Sequence, residues 1–469
     1  VGKWEDDALP AATADVNTAT GGVIARLAAS RDITGKAGEL VPILAPTGIT
    51  ATRLLVVGLG WKADATRAAL HDIASAAARF VTSRKFGTIA LALPEGTPAD
   101  TLAIGVGLSQ GCYGPGWRRS QPGRAAPTQL LLVAPGGSDP RAALNRARAE
   151  AKALWLAREL VNAPPNELYP ETFAAVAAET GRECGLGVEV WDESRLAEEK
   201  MTSLLAVAGG SAKPPRLVVL RYAGNPGGPT LALVGKGVTF DSGGLSLKPT
   251  DGMVDMKCDM AGAAAVLGGI KAVADLKLRV NILGVLALVE NRPGGRAMKL
   301  GDVMKARNGT TIEVLNTDAE GRLILADALC YAAEQKPAHM IDFATLTGAC
   351  LVALGPHVAG LMTNNDAWGT RVLSAVNRAG ERAWQLPMDS HYDEMIRSKV
   401  ADIRNTGGGR WGGAITAAKF LEQFVGRVPW AHLDIAGPAW LDSENASLDS
   451  GGTGSMVRAI VELASGYGA

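Results

Sequence analysis

From about residue 165 to the C-terminus, short apolar runs alternate with segments of helical periodicity, and no other feature of the sequence limits the fold as strongly. The runs lie at 187–191, 217–222, 231–235, 280–289, 311–315, 340–344 and 432–435, and the helical segments include 262–274, 323–334 and 414–425. Strands that read as continuous apolar runs are buried on both faces. The expected fold class is therefore α/β, with a central mixed sheet covered by helices.

At 469 residues the chain is too long for one ordinary core. Residues 1–140 hold short strands at 53–57 and 88–92 and a helical segment at 65–80, and read as a smaller N-terminal α/β domain. A polar, Gly/Pro-rich stretch at 114–127 reads as an exposed loop. Asp139 caps an Ala- and Arg-rich helical segment that Pro164, Pro165 and Pro170 end, and Glu171 opens the next one. The expected division is an N-terminal domain at 1–140, a linking helix at 141–164 and a larger domain at 165–469.

Lys+Arg and Asp+Glu are both 47, so no net basic field attracts nucleic acid or an anionic lipid surface. No apolar run approaches the ~18 residues of a membrane helix. The opening Val1-Gly2-Lys3-Trp4 leads into no basic-then-apolar segment, so no signal peptide is expected. Cys112, Cys184, Cys258, Cys330 and Cys350 are odd in number, scattered and without CxxC spacing. That excludes a disulfide framework and a thiolate zinc site, and points to the cytoplasm. His71, His339, His357, His391 and His432 show no HExxH or paired spacing and read as structural, His432 as a core residue.

Ionisable residues gather between 235 and 348. Asp318, Glu320 and Arg322 follow one apolar run at two-residue spacing, which in an extended chain puts them on one face. The run 231–235 leads into Lys236, Asp241 and Lys248, with Asp259 just before the helical segment at Gly262. Ligands of open α/β sheets bind beyond the carboxyl ends of strands, where both runs deliver these side chains. Asp241, Asp259, Asp318 and Glu320 brought together cannot stay ionised and dry without cations. Two divalent ions about 3.5–4 Å apart, bridged by carboxylates, answer that need. The ligand set suits Zn²⁺, Mn²⁺ or Mg²⁺. A solvated acidic loop, ion-paired with Lys248 and Arg322, accounts for the same spacing, and spacing alone leaves both readings open.

The run Asn316-Thr317-Asp318-Ala319-Glu320-Gly321-Arg322-Leu323 resembles the signature octapeptide of the leucine aminopeptidase, or cytosol aminopeptidase, family. Val234-Gly235-Lys236-Gly237-Val238-Thr239-Phe240-Asp241-Ser242-Gly243-Gly244 and Asp259-Met260-Ala261-Gly262 resemble that family's metal-binding segments. Asn291-Arg292-Pro293-Gly294-Gly295 and Asp342-Phe343-Ala344-Thr345-Leu346-Thr347-Gly348 match it too. The resemblance spans essentially the whole larger domain; over residues 1–140 it is one of general architecture without a motif.

What the resemblance implies is a two-metal aminopeptidase acting on peptides with a free N-terminus. Asp241 and Glu320 would bridge both metals, Zn²⁺ or Mn²⁺ with Mg²⁺ admitted. Asp318 would complete the more exchangeable site, partly through its backbone carbonyl, and Lys236 and Asp259 the tighter one. An amine ligand at Lys236 requires burial and divalent charge to lower its pKa until it is neutral; as an ammonium it is instead a partner of Asp241. A metal-bridging water would attack the scissile carbonyl, Lys248 would steady the oxyanion, and a bicarbonate held by Arg322 would act as general base. The substrate's α-amine would meet the tighter metal and Asp259, which restricts cleavage to the N-terminal residue. Met256, Thr345, Leu346 and Gly348 match substrate-binding positions, with core packing as the other reading of Met256, and an apolar pocket favours Leu or Met. The implied assembly is a homohexamer, a dimer of trimers with its active sites facing an interior space.

Other function classes fit less of the chain. A two-metal phosphatase uses similar carboxylates, but the 316–323 run speaks against it. A secondary DNA-binding architectural role gains nothing from a balanced charge. Gly107-Leu108-Ser109-Gln110-Gly111 matches a GxSxG nucleophile elbow, yet Cys112-Tyr113-Gly114-Pro115 does not begin a helix. Gly407-Gly408-Gly409-Arg410-Trp411-Gly412 matches GxGxxG, but Ile403-Arg404-Asn405-Thr406 before it is too polar for the buried strand of a dinucleotide fold. Those glycines are expected to let backbone approach the pocket rim closely.

Overall fold

The computed structural model describes residues 1–6, 9–114, 118–121, 123–134 and 139–467. They form two compact units, Val1–Lys152 with Ser443–Ser450, and Ala153–Asp442 with the chain from Gly451 onward.

In the smaller unit the order is β1 (Gly2–Trp4), α1 (Ala11–Ala19), α2 (Val23–Ala29), β2 (Leu40–Leu44), β3 (Arg53–Gly60), α3 (Arg67–Thr82), β4 (Thr88–Ala92), α4 (Pro98–Cys112) and β5 (Gln129–Val133). β3 pairs in parallel with β1 and antiparallel with β2, while β4 and β5 form a separate parallel pair. Val57, Leu59, Leu70, Ile73, Ile104 and Leu108 belong to its core. The Gly107–Gly111 run lies inside α4, where a Cβ on Gly107 would stand 2.1 Å from the His71 carbonyl oxygen and one on Gly111 2.2 Å from that of Ser75. These glycines let α3 and α4 approach closely; they form no nucleophile elbow. Asp449 in the Ser443–Ser450 segment pairs with Arg79 and Arg124, and the Ser75 hydroxyl donates to the Ser447 carbonyl at 2.6 Å. The described part of the 114–127 loop is largely exposed and free of strand; Pro115, Gly116, Trp117 and Pro122 lie outside the described residues. α5 (Arg141–Asn162) carries the chain from one unit to the other, and Asp139 accepts a hydrogen bond from Arg141 N at 3.1 Å just ahead of it.

The larger unit continues with α6 (Pro170–Glu183), β6 (Gly187–Trp191), α7 (Glu193–Glu198), α8 (Thr202–Ala208), β7 (Arg216–Ala223), β8 (Thr230–Asp241), α9 (Thr250–Met253), α10 (Ala261–Asp275) and β9 (Asn281–Asn291). Next come β10 (Val303–Lys305), β11 (Thr311–Glu313), α11 (Gly321–Glu334), β12 (His339–Ala344), α12 (Gly348–Leu354), β13 (Ala359–Thr363), α13 (Asp366–Arg378) and β14 (Ala383–Gln385). β15 (Ile403–Arg404), α14 (Gly413–Glu422), β16 (Trp430–Asp434), β17 (Trp440–Leu441), β18 (Gly451–Gly452) and α15 (Val457–Ser465) complete it.

Its eight-stranded sheet runs β14-β13-β16-β12-β8-β9-β7-β6. β8 lies at the centre, parallel to β12 and β9, while β7 and β13 run antiparallel to their inner neighbours β9 and β16. Alternate side chains of β8 face opposite covers. Ala232, Val234 and Val238 pack with Leu204 of α8, Leu325 of α11 and Phe420 of α14 in one core. On the other face Gly235 abuts α10 so closely that a Cβ there would lie 2.5 Å from the Ala263 Cα. The mixed, doubly covered sheet is the expected one. The 311–315 run departs from expectation. It is reduced to β11, in a separate three-stranded sheet of order β10-β11-β15. The residues after it are not extended: Asn316 Oδ1 accepts from Asp318 N at 2.9 Å, closing an Asx-type turn, and Glu320 is already helical at φ −78, ψ −35.

Within the parallel pair β12 and β16 lies a buried polar cluster. Asp342 accepts from Trp430 Nε1 at 2.7 Å and His432 Nδ1 at 2.6 Å, and His432, expected in the core, is fully buried. Burial by itself pushes the imidazole pKa down, but the charge and hydrogen bond of Asp342, with the charge of Asp434, outweigh it and raise it above 6.5. A raised folded-state pKa favours the protonated form, so its stabilisation is complete below the unfolded value and is lost as pH rises through the folded one. Asp342→Asn removes the charge and one bond, leaving a buried donor unsatisfied at a cost of about 1–3 kcal/mol. Melting curves from acid to alkaline pH should show the variant below the wild type, with the gap widest at the acid end and narrowing above pH 6.5. A constant gap would mean the imidazole is not held charged by Asp342.

Candidate metal centre

Strand β8 outruns β12, whose pairing with it ends at Phe343 against Gly235, so Lys236 is the first β8 residue past that ladder. Its side chain lies on the α11 face. Asp241 is five residues further, an odd interval that in a regular strand would send it to the opposite face. A bulge between Val238 and Phe240 in the pairing with β9 reverses the alternation. Asp241 thereby pairs with Asn291 and takes a hydrogen bond of 2.8 Å from Asn291 Nδ2. Asp259 ends the 3₁₀ turn ahead of α10, with Met260 between them, and Glu320 directly precedes α11. β12 delivers the last contributor, Thr345, just beyond its end.

The expected residues meet in two ion-paired groups. Lys236 Nζ lies 2.8 Å from Asp259 Oδ1 and 2.9 Å from Glu320 Oε1, and donates to the Thr345 carbonyl at 2.9 Å. Lys248 Nζ lies 2.9 Å from Asp241 Oδ2 and 2.5 Å from Asp318 Oδ1. The Thr345 hydroxyl donates to Asp259 Oδ1 at 2.7 Å. One carboxylate oxygen each from Asp241, Asp259 and Glu320 lies within 4.8 Å of the others, and all three residues are buried. Arg322 sits in the first turn of α11, its Nε buried without a hydrogen-bond partner among the described residues. Met256 is half-buried in the 3₁₀ turn that leads to Asp259. Leu346 N donates to Asp434 Oδ1 at 3.1 Å, and Gly348 is exposed, with open space where a Cβ would project.

The electrostatics are those of too many carboxylates for the room. Burial, then the Asp241 charge, raises the pKa of Asp318 and Glu320 against the pull of the lysines. Burial also raises Asp259 well above the usual carboxylate range, with Lys236 opposing. For Lys236, burial pushes down while Asp259, Glu320 and Asp241 hold the ammonium up and win. An amine ligand at Lys236 therefore needs positive charge from outside the chain to reverse that balance. Burial lowers Arg322 to about 10, with Glu320 and Asp434 opposing. Asp259 Oδ2 and Glu320 Oε2 are buried and accept no hydrogen bond among the described residues, which is the condition divalent cations relieve. The donor set thus fits the metals.

Some of what holds this arrangement carries no charge. Asn291 Nδ2 bridges Asp241 to the Thr317 carbonyl at 2.8 and 3.0 Å; the sequence marks it as the first residue of a family-like run and as a polar residue closing an apolar strand, without showing this role. Gly321 makes room for Lys236: a Cβ there would stand 2.5 Å from its Cε and 2.6 Å from its Nζ. Gly321→Ala should keep the fold, because alanine favours the first turn of a helix, yet displace the amine. Metal affinity and turnover should each fall about 10–100-fold with little change in melting temperature; unchanged metal titration would show that Lys236 has space to spare.

Comparison with known proteins follows the same lines. The chain matches the catalytic domain of the cytosol aminopeptidase family over residues 155–461 and that family's N-terminal domain over residues 1–115. A probable cytosol aminopeptidase of Rhodopirellula baltica is 48% identical over 92% of this chain and 84% of its own length. Its counterpart in Solibacter usitatus is 46% identical over 93% and 92%. Among solved structures, the bottromycin maturation enzyme BotP in complex with Mn superimposes with a TM-score of 0.89 at 37% identity, covering 100% of this chain and 98% of that one. A mutant of tomato leucine aminopeptidase gives 0.86 at 37%, covering 96% and 88%. With family, fold and buried acidic cluster in agreement, peptide bonds and not phosphate esters are the substrate class: the chain belongs to the cytosol aminopeptidase family and is a metal-dependent aminopeptidase.

Proposed function

We propose that the chain removes single apolar residues such as Leu or Met from the free N-terminus of peptides, using two divalent cations per subunit. One observation carries the reading: Asp241, Asp259 and Glu320 are buried with ligand atoms within 4.8 Å of one another, beside Asp318 and, among the described residues, with only Lys236 and Lys248 ion-paired to them. Asp241 and Glu320 are assigned to both cations, Asp318 to the more exchangeable one, and Lys236 and Asp259 to the tighter one. Zn²⁺ or Mn²⁺ suits this set, with Mg²⁺ admitted; the Mn bound to BotP supports the choice of Mn²⁺. Bound divalent cations supply Lewis-acid polarisation of the carbonyl and of water.

The remaining roles belong to the chain's own side chains. Lys248, raised in pKa by Asp241 and Asp318 against the effect of burial, keeps the charge needed to steady an oxyanion. Arg322 offers a buried guanidinium to a small anion, bicarbonate by family resemblance, which would serve as base. Asp259, oriented by the Thr345 hydroxyl, receives the substrate's amine. Met256, Thr345, Leu346 and Gly348 border the substrate side chain, and the open space at Gly348 supports that placement. The chain divides into an N-terminal domain at 1–140, a linking helix at 141–164 and a catalytic domain at 165–469, and the change of compact unit within α5 supports the helical link. A homohexamer is supported by exposed apolar side chains at Leu247, Val254 and Val352. A cytoplasmic location is supported by the family name and five free cysteines.

Two experiments test this reading. Glu320→Ala and Asp241→Ala should each abolish turnover and lower metal content below two per chain, whereas Lys248→Ala should keep both metals and lose on the order of 10²–10³ in kcat. Full metal occupancy in the first two variants would remove their assignment as ligands. Separately, N-acetylation of a good substrate should eliminate hydrolysis; cleavage at a comparable rate would refute amine anchoring at Asp259.

A further inference from the structure

Asn405 is fully buried, immediately after β15. β15 lies parallel to β11, and Asn405 N extends that ladder by donating to the Glu313 carbonyl at 2.9 Å. Beyond this point β11 stops and the Asn405 side chain takes over. Its Oδ1 accepts from Leu315 N at 2.8 Å and Asn316 N at 3.3 Å. Its Nδ2 donates to the Asn316 carbonyl at 2.6 Å and the Ala319 carbonyl at 3.4 Å. An amide side chain offers two donors and about two acceptor sites, so its whole capacity is spent on the segment 315–319. No other side-chain type of that length presents both. Aspartate would set a second acceptor against two carbonyl oxygens, and leucine would leave buried backbone groups without partners.

That segment carries Asp318 and runs directly into Glu320. Its opposite side is held by other means: the Thr317 hydroxyl donates to the Gly243 carbonyl at 2.6 Å, and Asn291 Nδ2 reaches the Thr317 carbonyl at 3.0 Å. Glu320 is tied by one oxygen to Lys236, while its Oε2 has no hydrogen bond of its own among the described residues, so the backbone of the turn and Lys236 together decide where that oxygen stands. We infer that Asn405 is a positioning residue that sets the 315–319 turn, and through it the places at which Asp318 and Glu320 meet divalent cations. The inference rests on the ligand assignment proposed above.

Mn²⁺ binding by equilibrium dialysis and the Mn²⁺ dependence of peptide hydrolysis test it, in the full chain and in Asn405→Ala. The variant should retain the tighter Mn²⁺, weakened less because Lys236, Asp241 and Asp259 still hold it, and bind the second about 10–100-fold more weakly. The Mn²⁺ concentration for half-maximal activity should rise by the same factor, with kcat at saturating Mn²⁺ within a few-fold of wild type. Glu381→Gln supplies the control for mere loss of stability, since half-buried Glu381 accepts from Met456 N and Ala459 N at the start of α15, at 2.6 and 2.9 Å. It should lower the melting temperature without moving either Mn²⁺ midpoint. Wild-type Mn²⁺ midpoints in Asn405→Ala, or loss of both ions together in proportion to its melting temperature, overturn the inference. Retention of both ions by Glu320→Ala would instead overturn the ligand assignment, and the two failures are thus distinct. If the alanine variant does not fold, Asn405→Asp keeps the two accepted bonds, loses the two donated ones, and is judged by the same midpoints.

Discussion

A carboxylate moved out of water costs several kcal/mol unless a cation shares its surroundings, and the region around Lys236 is shaped by that cost. Asp241, Asp259 and Glu320 are almost wholly enclosed, and Lys236 and Lys248 are each spread over two of the acidic groups. The arrangement is therefore neutralised in part by the protein and left with oxygen atoms that only further cations satisfy. Metal dependence is in this sense a property of the charge count before it is a property of any one ligand.

Holding those groups in one place depends on exceptions to regular geometry. Without the bulge beside Thr239, Lys236 and Asp241 would face opposite covers of the sheet. Without glycine at 321 the lysine would have no passage beside α11. Small residues and one irregular hydrogen-bond register thus do as much as the charged side chains to assemble the centre, because they decide which side chains share a volume.

Most strands and helices of the larger unit are legible from periodicity, since fully covered strands such as 231–235 and 340–344 are written in apolar residues. The charged positions of the centre were legible because an acidic residue next to a helix start or a strand end stands out against that background. What escaped has physical reasons. Alternation predicts an extended 316–322, but the Asn316 side chain closes a turn there and the helix begins at Glu320's own dihedrals. The 403–406 segment was set aside as too polar for a buried strand, yet Ile403 and Arg404 form β15 and Asn405 is buried because every polar group of its side chain is matched. Polarity signals exposure only when partners are absent, and partners ninety residues away cannot be read from a local pattern. The run that forms β13, Ala359–Thr363, is too short and too rich in small residues to separate strand from helix, whereas in α15 the apolar Val457, Ile460, Val461 and Ala464 recur at helical spacing and are readable as a helix.

The chain passes from one compact unit to the other at 152/153, returns at 442/443 and leaves again at 450/451. Synthesis proceeds from the N-terminus, so the first unit emerges with Arg79 and Arg124 in place but without Asp449, the carboxylate that joins them. It receives that last stitch only after nearly the whole of the second unit has been made. The two units are accordingly not consecutive along the chain. Neither corresponds to an unbroken stretch of gene, and the order in which the polypeptide is finished makes completion of the early body wait on the late one.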